Sequence, residues 1–333
     1  MDIRSSAKTL IVIGTLFGFC AGEAFATTYS LTDLGTLSYA FSSGQMYAHV
    51  INNAGQVAGS YVTTSYTPPH AFLYSGGRIN DLGTLGGTAS HGNAINDAGQ
   101  VAGMSDTTGN ADLHAFLYSG GTMNDLGTLG GTVSYGCGIN DADQMTGSSN
   151  TIGDAATHAF LHSGGTMNDL GTLGGMFSFG RAINDAGQVV GSSTTGNAAT
   201  HAFLYSGGTM NDLGTLGGML SFGNAINDAG QVVGRSYTTG YMAGHAFLYS
   251  GGTMNDLNDL IPNYSGWILN EAYDINDLGQ ITCYGYRSVY GEQHAFLLTP
   301  ENAAPVPEPS TFFLLGCGGA GLILMRRRFA KPA

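Results

Sequence analysis

The sequence of 333 residues predicts an all-β fold, and two observations support that prediction. Three short motifs recur six times in a fixed order, and every copy carries two signals for tight antiparallel turns. The HAF motif returns at intervals of 43, 44 or 49 residues, a period typical of propeller blades and of some helical arrays. No copy shows an apolar 3.6-residue period, and glycine is scattered throughout, which argues against helices. We therefore predict a six-bladed β-propeller of four-stranded blades over residues 27–300.

The three motifs divide the chain into six copies of one unit. Within a copy, IN(D/N), usually followed by AGQ, comes first, HAF comes next and DLGTL follows. The IN(D/N) motif begins at Ile51, Ile95, Ile139, Ile183, Ile226 and Ile275, and HAF begins at His70, His114, His158, His201, His245 and His294. DLGTL begins at Asp33, Asp81, Asp125, Asp169 and Asp212, and the altered form DLNDL begins at Asp256.

Each copy contains two hairpin signals and therefore four strands. In AINDAGQVVG (182–191) an apolar strand enters a three-residue loop in which Gly187 is expected to be left-handed. Asp143 stands at that glycine position in the third copy, and aspartate is among the few residues that tolerate positive φ. Gly120 and Gly121 predict the two-residue turn of the second hairpin. We expect the IND strands innermost and the HAF strands third from the axis.

The two ends of the repeat region predict how the propeller closes. The last copy stops at HAFLLTPEN, without the Gly-Gly turn and the strand that should follow. The missing strand is found at the other end, where YSLTDLG (29–35) has no hairpin before it. We predict that this N-terminal strand supplies the outer strand of the last blade, because that pairing covers an otherwise exposed sheet edge.

The N-terminus predicts a signal peptide over residues 1–26. Arg4 and Lys8 precede an apolar run, and Ala24 and Ala26 form a small-x-small site for signal peptidase. We therefore expect export by the Sec machinery, with a retained membrane anchor as the alternative.

The C-terminus carries a second targeting pattern after a linker at 301–306. Residues 307–333 combine a Pro-Glu-Pro break, an apolar run at 311–325 that predicts a transmembrane segment, and a terminal arginine cluster. The residues are Pro307, Glu308, Pro309, Arg326, Arg327 and Arg328. This tail resembles the PEP-CTERM sorting signal. The resemblance implies transient insertion in the inner membrane, cleavage by an exosortase, and release or surface attachment in a Gram-negative bacterium that makes exopolysaccharide. An ordinary single-span anchor is the alternative.

The repeats themselves resemble the HAF repeat family of probable extracellular repeats found in exported bacterial proteins. The HAF and INDAGQ motifs carry this resemblance through all six copies. The resemblance implies an exported protein and brings no established activity.

The charge of the repeat region argues against some classes of partner. Residues 27–308 contain four arginines, no lysine and 21 acidic residues, which gives a formal charge of −17. A phosphate-binding surface needs clustered cations, so nucleic acid and anionic lipid are poor candidates.

Cys137 and Cys283 occupy non-equivalent positions in their copies, which favours free thiols over a disulfide.

Two repeated polar features could carry chemistry, and each has a structural explanation. The HAF histidines should lie far from one another, and we expect each to bind a neighbouring backbone carbonyl. The loop aspartates are weak calcium candidates, since Asp is also a preferred turn former. These aspartates are Asp97, Asp141, Asp185, Asp228 and Asp277. No other cofactor is predicted.

An asymmetric site is expected where the copies diverge, at the seam of the first and last blades. The candidate residues are His49, Trp267, Glu271, Tyr273 and Asp274. Aromatic faces and acidic groups suit carbohydrate, while different packing at the seam is the alternative. No catalytic residue is predicted. The sequence favours a non-enzymatic binding or structural component of the exopolysaccharide matrix, and the alternative is a propeller hydrolase acting on glycans or lactones.

Overall fold

The computed structural model describes residues 28–35, 46–62, 67–240, 244–262, 266–287 and 291–301. These residues form 24 β-strands and a few short 3-10 turns, so the predicted all-β class is confirmed. The predicted signal peptide at 1–26 and the sorting segment at 307–333, with its apolar run at 311–325, lie outside the described residues. No helix within the described ranges is long and apolar enough to cross a membrane.

Strand pairing groups the described strands into successive units of four, which we number one to six. Unit one contains β2 (Met46–Ile51), β3 (Val57–Tyr61), β4 (His70–Ser75) and β5 (Arg78–Gly83). Unit two contains β6 (Gly86–Ile95), β7 (Val101–Thr107), β8 (Leu113–Ser119) and β9 (Thr122–Asp125). Unit three contains β10 (Gly130–Ile139), β11 (Met145–Thr151), β12 (Thr157–Ser163) and β13 (Thr166–Asp169).

Unit four contains β14 (Gly174–Ile183), β15 (Val189–Thr195), β16 (Thr200–Ser206) and β17 (Thr209–Asp212). Unit five contains β18 (Gly217–Ile226), β19 (Val232–Thr238), β20 (Gly244–Ser250) and β21 (Thr253–Asp256). Unit six contains β22 (Ile268–Ile275), β23 (Ile281–Arg287), β24 (Glu292–Pro300) and, out of chain order, β1 (Tyr29–Gly35). Within each unit neighbouring strands are antiparallel, and single-pair parallel bridges join units two to five into one sixteen-stranded sheet.

The N-terminal strand completes unit six, as the sequence predicts. β1 pairs with β24 in antiparallel register, with Tyr29 opposite Pro300 and Asp33 opposite Phe296. Just beyond this ladder, the Glu301 amide donates to the Thr28 carbonyl at 3.0 Å, and Thr28 Oγ1 donates to Glu301 Oε2 at 2.7 Å. The first and last described residues are therefore held side by side.

Both predicted turns have the expected backbone. Gly187 has a φ of 72°, and Asp143, at the equivalent position, has a φ of 61°. Gly120 and Gly121 have φ values of 58° and 84°, as a two-residue hairpin turn requires. The asparagine that opens each IND turn also stabilises it, for example through Asn184 Oδ1, which accepts from the Gln188 amide at 2.9 Å.

The core lies between units and repeats with them. The phenylalanine of every HAF motif is at most 1% exposed: Phe72, Phe116, Phe160, Phe203, Phe247 and Phe296. A buried serine joins the HAF strand to the inner strand of the next unit. In units two and three, Ser134 Oγ accepts from the Ala115 amide at 2.8 Å and donates to the Gly127 carbonyl at 2.6 Å. These bonds satisfy polar groups that packing removes from water.

The HAF histidines bind carboxylates, and the expected backbone carbonyl partner is wrong for five of them. His114 Nδ1 lies 2.8 Å from Asp125 Oδ1, and the same pair recurs with a spacing of 11 residues in the neighbouring copies. The other pairs are His70 with Asp81, His158 with Asp169, His201 with Asp212 and His245 with Asp256. Each pair joins the third strand of a unit to its outer strand, so these histidines have a structural role.

The IND turns join neighbouring units through side chains. The Nδ2 groups of Asn52, Asn96, Asn140, Asn184 and Asn227 each donate to the carbonyl oxygen of the equivalent asparagine in the next unit at 2.9 to 3.1 Å. The residue after each asparagine donates its amide to an aspartate of the next unit, as Asp141 does to Asp185 Oδ1 at 3.0 Å. Each IND turn from unit one to unit five is thus bonded to its successor.

The sixth interface, between units six and one, differs from the other five. Asn276 Nδ2 bonds Gln280 of its own turn at 2.9 Å, and no hydrogen bond from Asn276 or Asp277 reaches unit one in the part of the chain that the structure describes. Ile51 of unit one is 70% exposed, whereas Ile275 of unit six is 5% exposed. Within the described residues, this interface is therefore an open seam.

Candidate axial binding site

The inner strand of every unit carries a β-bulge at the same place. The pairing register shifts by one residue, for example between Gly136 and Gly138 in β10 and between Gly180 and Ala182 in β14. A bulge re-aims the side chain of the extra residue. The six bulged residues are His49, Asn93, Cys137, Arg181, Asn224 and Tyr273. The units are otherwise near copies, yet they present five different residue types at this one position.

The bulged residues contribute to a single large cavity on the axis. It has a volume of about 1020 Å³, and its walls include the bulged residues of units two to six. The wall also includes inner-strand residues that precede a bulged residue by two positions: Tyr135, Phe179, Phe222 and Glu271. The bulged positions, which vary from copy to copy, therefore contribute to the cavity wall.

The walls of the axial cavity expose aromatic side chains. Tyr135 is 36% exposed, Phe177 is 40% exposed, Phe179 is 42% exposed and Tyr273 is 54% exposed. Large apolar side chains left in water at one concave place, with a few polar groups among them, are typical of a ligand site. The cavity thus has the composition of a binding site for a ligand with apolar faces.

Two charged side chains lie among these aromatic groups. Glu271 Oε1 accepts from Asn224 Nδ2 at 3.0 Å, and the same amide donates to the Ala272 carbonyl at 2.9 Å. A second register shift lies between Leu269 and Glu271 in β22, whereas the second shift in the inner strands of units two to five lies nearer the strand start, as between Gly174 and Ser178 in β14. The position of Glu271 therefore depends on one extra residue in β22. Arg181 is exposed on the wall contributed by unit four.

Burial changes the acidity of several groups at the site. Burial raises the pKa of the Cys137 thiol to about 11, and Arg181 opposes this shift only in part. Desolvation, with the nearby Glu271 charge, raises the pKa of Tyr273. Desolvation likewise lowers the pKa of His91, and repulsion from His49 adds to that effect. At neutral pH the Cys137 thiol and the Tyr273 hydroxyl are therefore both protonated.

The structure brings only part of the predicted seam patch to the cavity. Glu271 and Tyr273 line it, and Asp274 follows in β22, where desolvation raises the pKa of its carboxyl. His49 is the bulged residue of unit one. Trp267 is not among the described lining residues and packs elsewhere in unit six. Its ring lies 4.5 Å from the His294 ring and 5.0 Å from the Phe296 ring, centroid to centroid.

The IND turns form the other end of the axis, around a shallow depression of about 280 Å³. The five calcium candidates line it, together with Asn53. One carboxylate oxygen of each of these aspartates accepts a backbone amide from the preceding unit at 2.8 to 3.0 Å. Within the described ranges, no group of three or more His, Cys, Asp or Glu side chains is placed to hold a metal ion. Cys137 and Cys283 are both free thiols.

The sequence analysis missed most of the cavity wall. Tyr135, Phe179, Arg181 and Phe222 belong to middle copies, whereas the search for a site used only the first and last copies. Aligning SYGCGIND, SFGRAIND and SFGNAIND would have shown that the position directly after the first glycine holds cysteine, arginine or asparagine. That position is the bulge.

One sequence motif matches the chain. The PEP-CTERM protein-sorting motif matches residues 305–328, and it implies exosortase-dependent processing of an exported protein. No curated protein sequence matches the chain. The resemblance of the repeats to the HAF family remains a resemblance.

Solved structures with a similar fold are propeller proteins. The β-propeller domain of the trilobed protease from Pyrococcus furiosus is 11% identical with a TM-score of 0.51, covering 78% of this chain and 85% of that one. TolB from Acinetobacter baumannii is 13% identical with a TM-score of 0.44, covering 74% of this chain, which spans 64% of the TolB structure. A gluconolactonase from Xanthomonas campestris is 10% identical with a TM-score of 0.42, covering 83% and 91% of the two chains. At 11% identity, the protease domain shows a propeller-like fold and nothing about activity.

Proposed function

We propose that the mature protein is an exported six-bladed β-propeller that binds extracellular polysaccharide in its axial cavity, without catalysing a reaction. The observation that carries this proposal is the contrast within the repeat. Positions that pack or join units are nearly invariant from copy to copy, whereas the bulged residues that face the cavity differ. A purely structural repeat has no need for that variation, and a binding site for an asymmetric ligand does.

The chemistry of the cavity supports carbohydrate as the ligand class. Exposed aromatic faces such as Phe179 and Tyr135 suit the apolar faces of sugar rings. The Asn224 amide, the Glu271 carboxylate and the Arg181 guanidinium supply donors and acceptors for hydroxyl groups. A shallow, open aromatic cavity of about 1020 Å³ has room for several sugar residues.

The two ends of the chain support a proposed route to the cell surface. The sorting motif at 305–328 supports processing by an exosortase. We propose that the signal peptide at 1–26 is removed during Sec export, that residues 311–325 hold the protein transiently in the inner membrane, and that cleavage near Pro307 delivers it to the surface or the medium. The formal charge of −17 over residues 27–308 suits an extracellular protein that avoids nucleic acid.

The test compares polysaccharide binding by the full chain, purified in detergent, with binding by a variant that carries Tyr135→Ala and Phe179→Ala. We expect the wild type to co-sediment with exopolysaccharide from its own host and the double variant to bind at least ten-fold more weakly. Tyr74→Ala is the matched control, because Tyr74 is 40% exposed and does not line the described cavity. The proposed function is wrong if the wild type fails to bind. It is also wrong if the double variant binds as well as the Tyr74→Ala control.

A hydrolase acting on glycans or lactones is the second candidate. It is favoured by the acidic groups of β22, since the pKa of the Asp274 carboxyl is raised and Glu271 lies three residues earlier. A pair of carboxyl groups, one of which has a raised pKa, is a combination used in glycoside hydrolysis. Release of reducing ends from the polysaccharide that disappears in a variant with alanine at Glu271, Asp274 and His49 would support this candidate over binding alone.

A further inference from the structure

Arg181 differs from the other arginines of the mature segment. Arg235 lies over the Tyr237 ring at 4.8 Å, and Arg287 lies over the Trp267 ring at 5.0 Å, each measured from Cζ to the ring centroid. Arg78 begins the outer strand of unit one, at the Gly-Gly turn. Arg181 alone of the four lines the axial cavity as the structure describes it.

Within the described residues, the Arg181 guanidinium has no carboxylate partner within 4.0 Å. The ion pairs that the structure describes at this distance each join a histidine to an aspartate, and none includes Arg181. The cavity carboxylate, Glu271, belongs to unit six and is bonded to Asn224 of unit five. In a segment with 21 acidic residues, an exposed arginine for which the described structure shows no carboxylate partner is available to a ligand.

The surroundings of Arg181 define what kind of anion fits. Phe177 and Phe179 belong to the same inner strand, β14, and are 40% and 42% exposed in the same cavity. A ligand at this wall must therefore combine an apolar face with an anionic group close to it. A guanidinium is planar and matches the two oxygens of a carboxylate.

We propose that this wall of the cavity binds a uronic acid residue of the polysaccharide, with Phe177 and Phe179 against the sugar ring and Arg181 on its carboxylate. This inference rests on the proposed function and names the sugar class of the same site. The Asn224 and Glu271 side of the cavity then serves hydroxyl groups of a neighbouring sugar.

The negative charge of the protein does not prevent this contact. At physiological ionic strength, charges farther apart than about 8 Å are largely screened in solvent. A carboxylate in direct contact with a guanidinium is much closer than that distance, so the local pair outweighs the distant aspartates of the IND turns. The distant charges should slow association without removing the preference.

The test uses exopolysaccharide from the host and the same polysaccharide after its carboxylates have been reduced to alcohols. We expect the full chain to bind the acidic form at least ten-fold more tightly than the reduced form. Arg181→Gln should bind both forms equally, at the affinity that the wild type shows for the reduced form, and Arg181→Lys should keep part of the preference. An unchanged unfolding midpoint for Arg181→Gln shows that the variant is folded.

The outcomes separate this inference from the proposed function. Equal binding of the acidic and reduced forms by the wild type overturns the uronic acid inference and leaves polysaccharide binding in place. A preference that persists in Arg181→Gln also overturns it, because the carboxylate must then bind elsewhere. Failure to bind either form contradicts the proposed function itself.

Discussion

The two ends of the axis are made by the same inner strands, yet they use their side chains in opposite ways. At the IND end every unit carries the same asparagine, and its amide is bonded to the next unit across five interfaces. At the cavity end the bulged residues differ, and Arg181 and Tyr273 are exposed there. Copies of one sequence can therefore hold an assembly together at one end and vary for binding at the other.

The largest effect on stability should come from removing the hydrogen bonds that join two IND turns in the middle of the chain. Asn140 is 4% exposed, and its amide nitrogen bonds Asn184 of the next unit and Gln144 of its own turn, both at 2.9 Å. Asn140→Ala leaves several buried groups unsatisfied, so we expect a loss of about 3 kcal/mol in the free energy of unfolding. Urea denaturation followed by circular dichroism measures it.

Asn276 provides a matched control for that experiment. It occupies the same motif beside the open seam, is exposed, and its side chain bonds only its own turn in the described structure. Asn276→Ala should cost about 1 kcal/mol, the value of a turn-stabilising bond. Equal losses for the two variants would mean that the bonds between units contribute nothing to stability.

A smaller effect on stability is expected when His162, which lies beneath the IND end, is replaced by the tyrosine that units one, two, four and five have at this position. His162 stands where the same strand of units one, two, four and five has tyrosine, and it is 9% exposed. Its buried Nδ1 has no hydrogen-bond partner among the described residues. His162→Tyr removes that unsatisfied atom and should stabilise the protein by about 1 kcal/mol at neutral pH. Tyr205→His in unit four should have the opposite sign.

The same variant should change how stability depends on pH. Burial lowers the pKa of His162 below its ordinary value, so the unfolded chain binds this proton more readily than the folded chain. The wild type should therefore lose stability as pH falls below about 6.5, the unfolded value, until the lowered folded value is passed. His162→Tyr should lose less over that window. Thermal unfolding at pH 7.5 and pH 5 tests this, and identical losses would contradict it.

Substitutions in the cavity should hardly affect stability. Phe179 is 42% exposed, so Phe179→Ala should change the free energy of unfolding by less than about 1 kcal/mol. The loss of polysaccharide binding described above should be far larger than this. A stability loss comparable to that of Asn140→Ala would show that the aromatic wall is a packing feature.

Chelation should have the smallest effect. One oxygen of each loop aspartate already accepts a backbone amide, as Asp185 does from Asp141 at 3.0 Å. We therefore expect EDTA to leave the melting temperature unchanged. A fall of several degrees that calcium restores would support the calcium prediction for Asp97, Asp141, Asp185, Asp228 and Asp277.

Local turn chemistry made much of the fold predictable from the sequence. The positive φ of Asp143 and the pairing of Tyr29–Gly35 with the last strand both follow from residues whose backbone or position allows few alternatives. The carboxylate partners of five HAF histidines were missed, although both residues of each pair recur at a constant spacing of 11. We expected each histidine to bind a nearby backbone carbonyl. The contact between the HAF strand and the outer strand of the same unit was therefore not predicted.

The cavity was harder to predict because bulges break the alternation on which strand predictions depend. A strand of strict period two would place Phe179 and Arg181 on one face and say nothing about which residue is added. Every copy carries the bulge, so comparing copies does not show an insertion. The open seam was also not predictable from the sequence. Whether the last interface closes depends on the sum of the rotations between neighbouring units, and no single motif encodes that sum.

The position of β24 determines how a mechanical force applied at the C-terminal end is distributed over the neighbouring strands. This strand lies between β23 and β1, and the residue after it is bonded to Thr28. An edge strand can be peeled away by breaking one ladder of hydrogen bonds, whereas an interior strand must break two. Tension applied through the tail, whether by the processing machinery or by flowing liquid, would therefore be shared between two neighbouring strands.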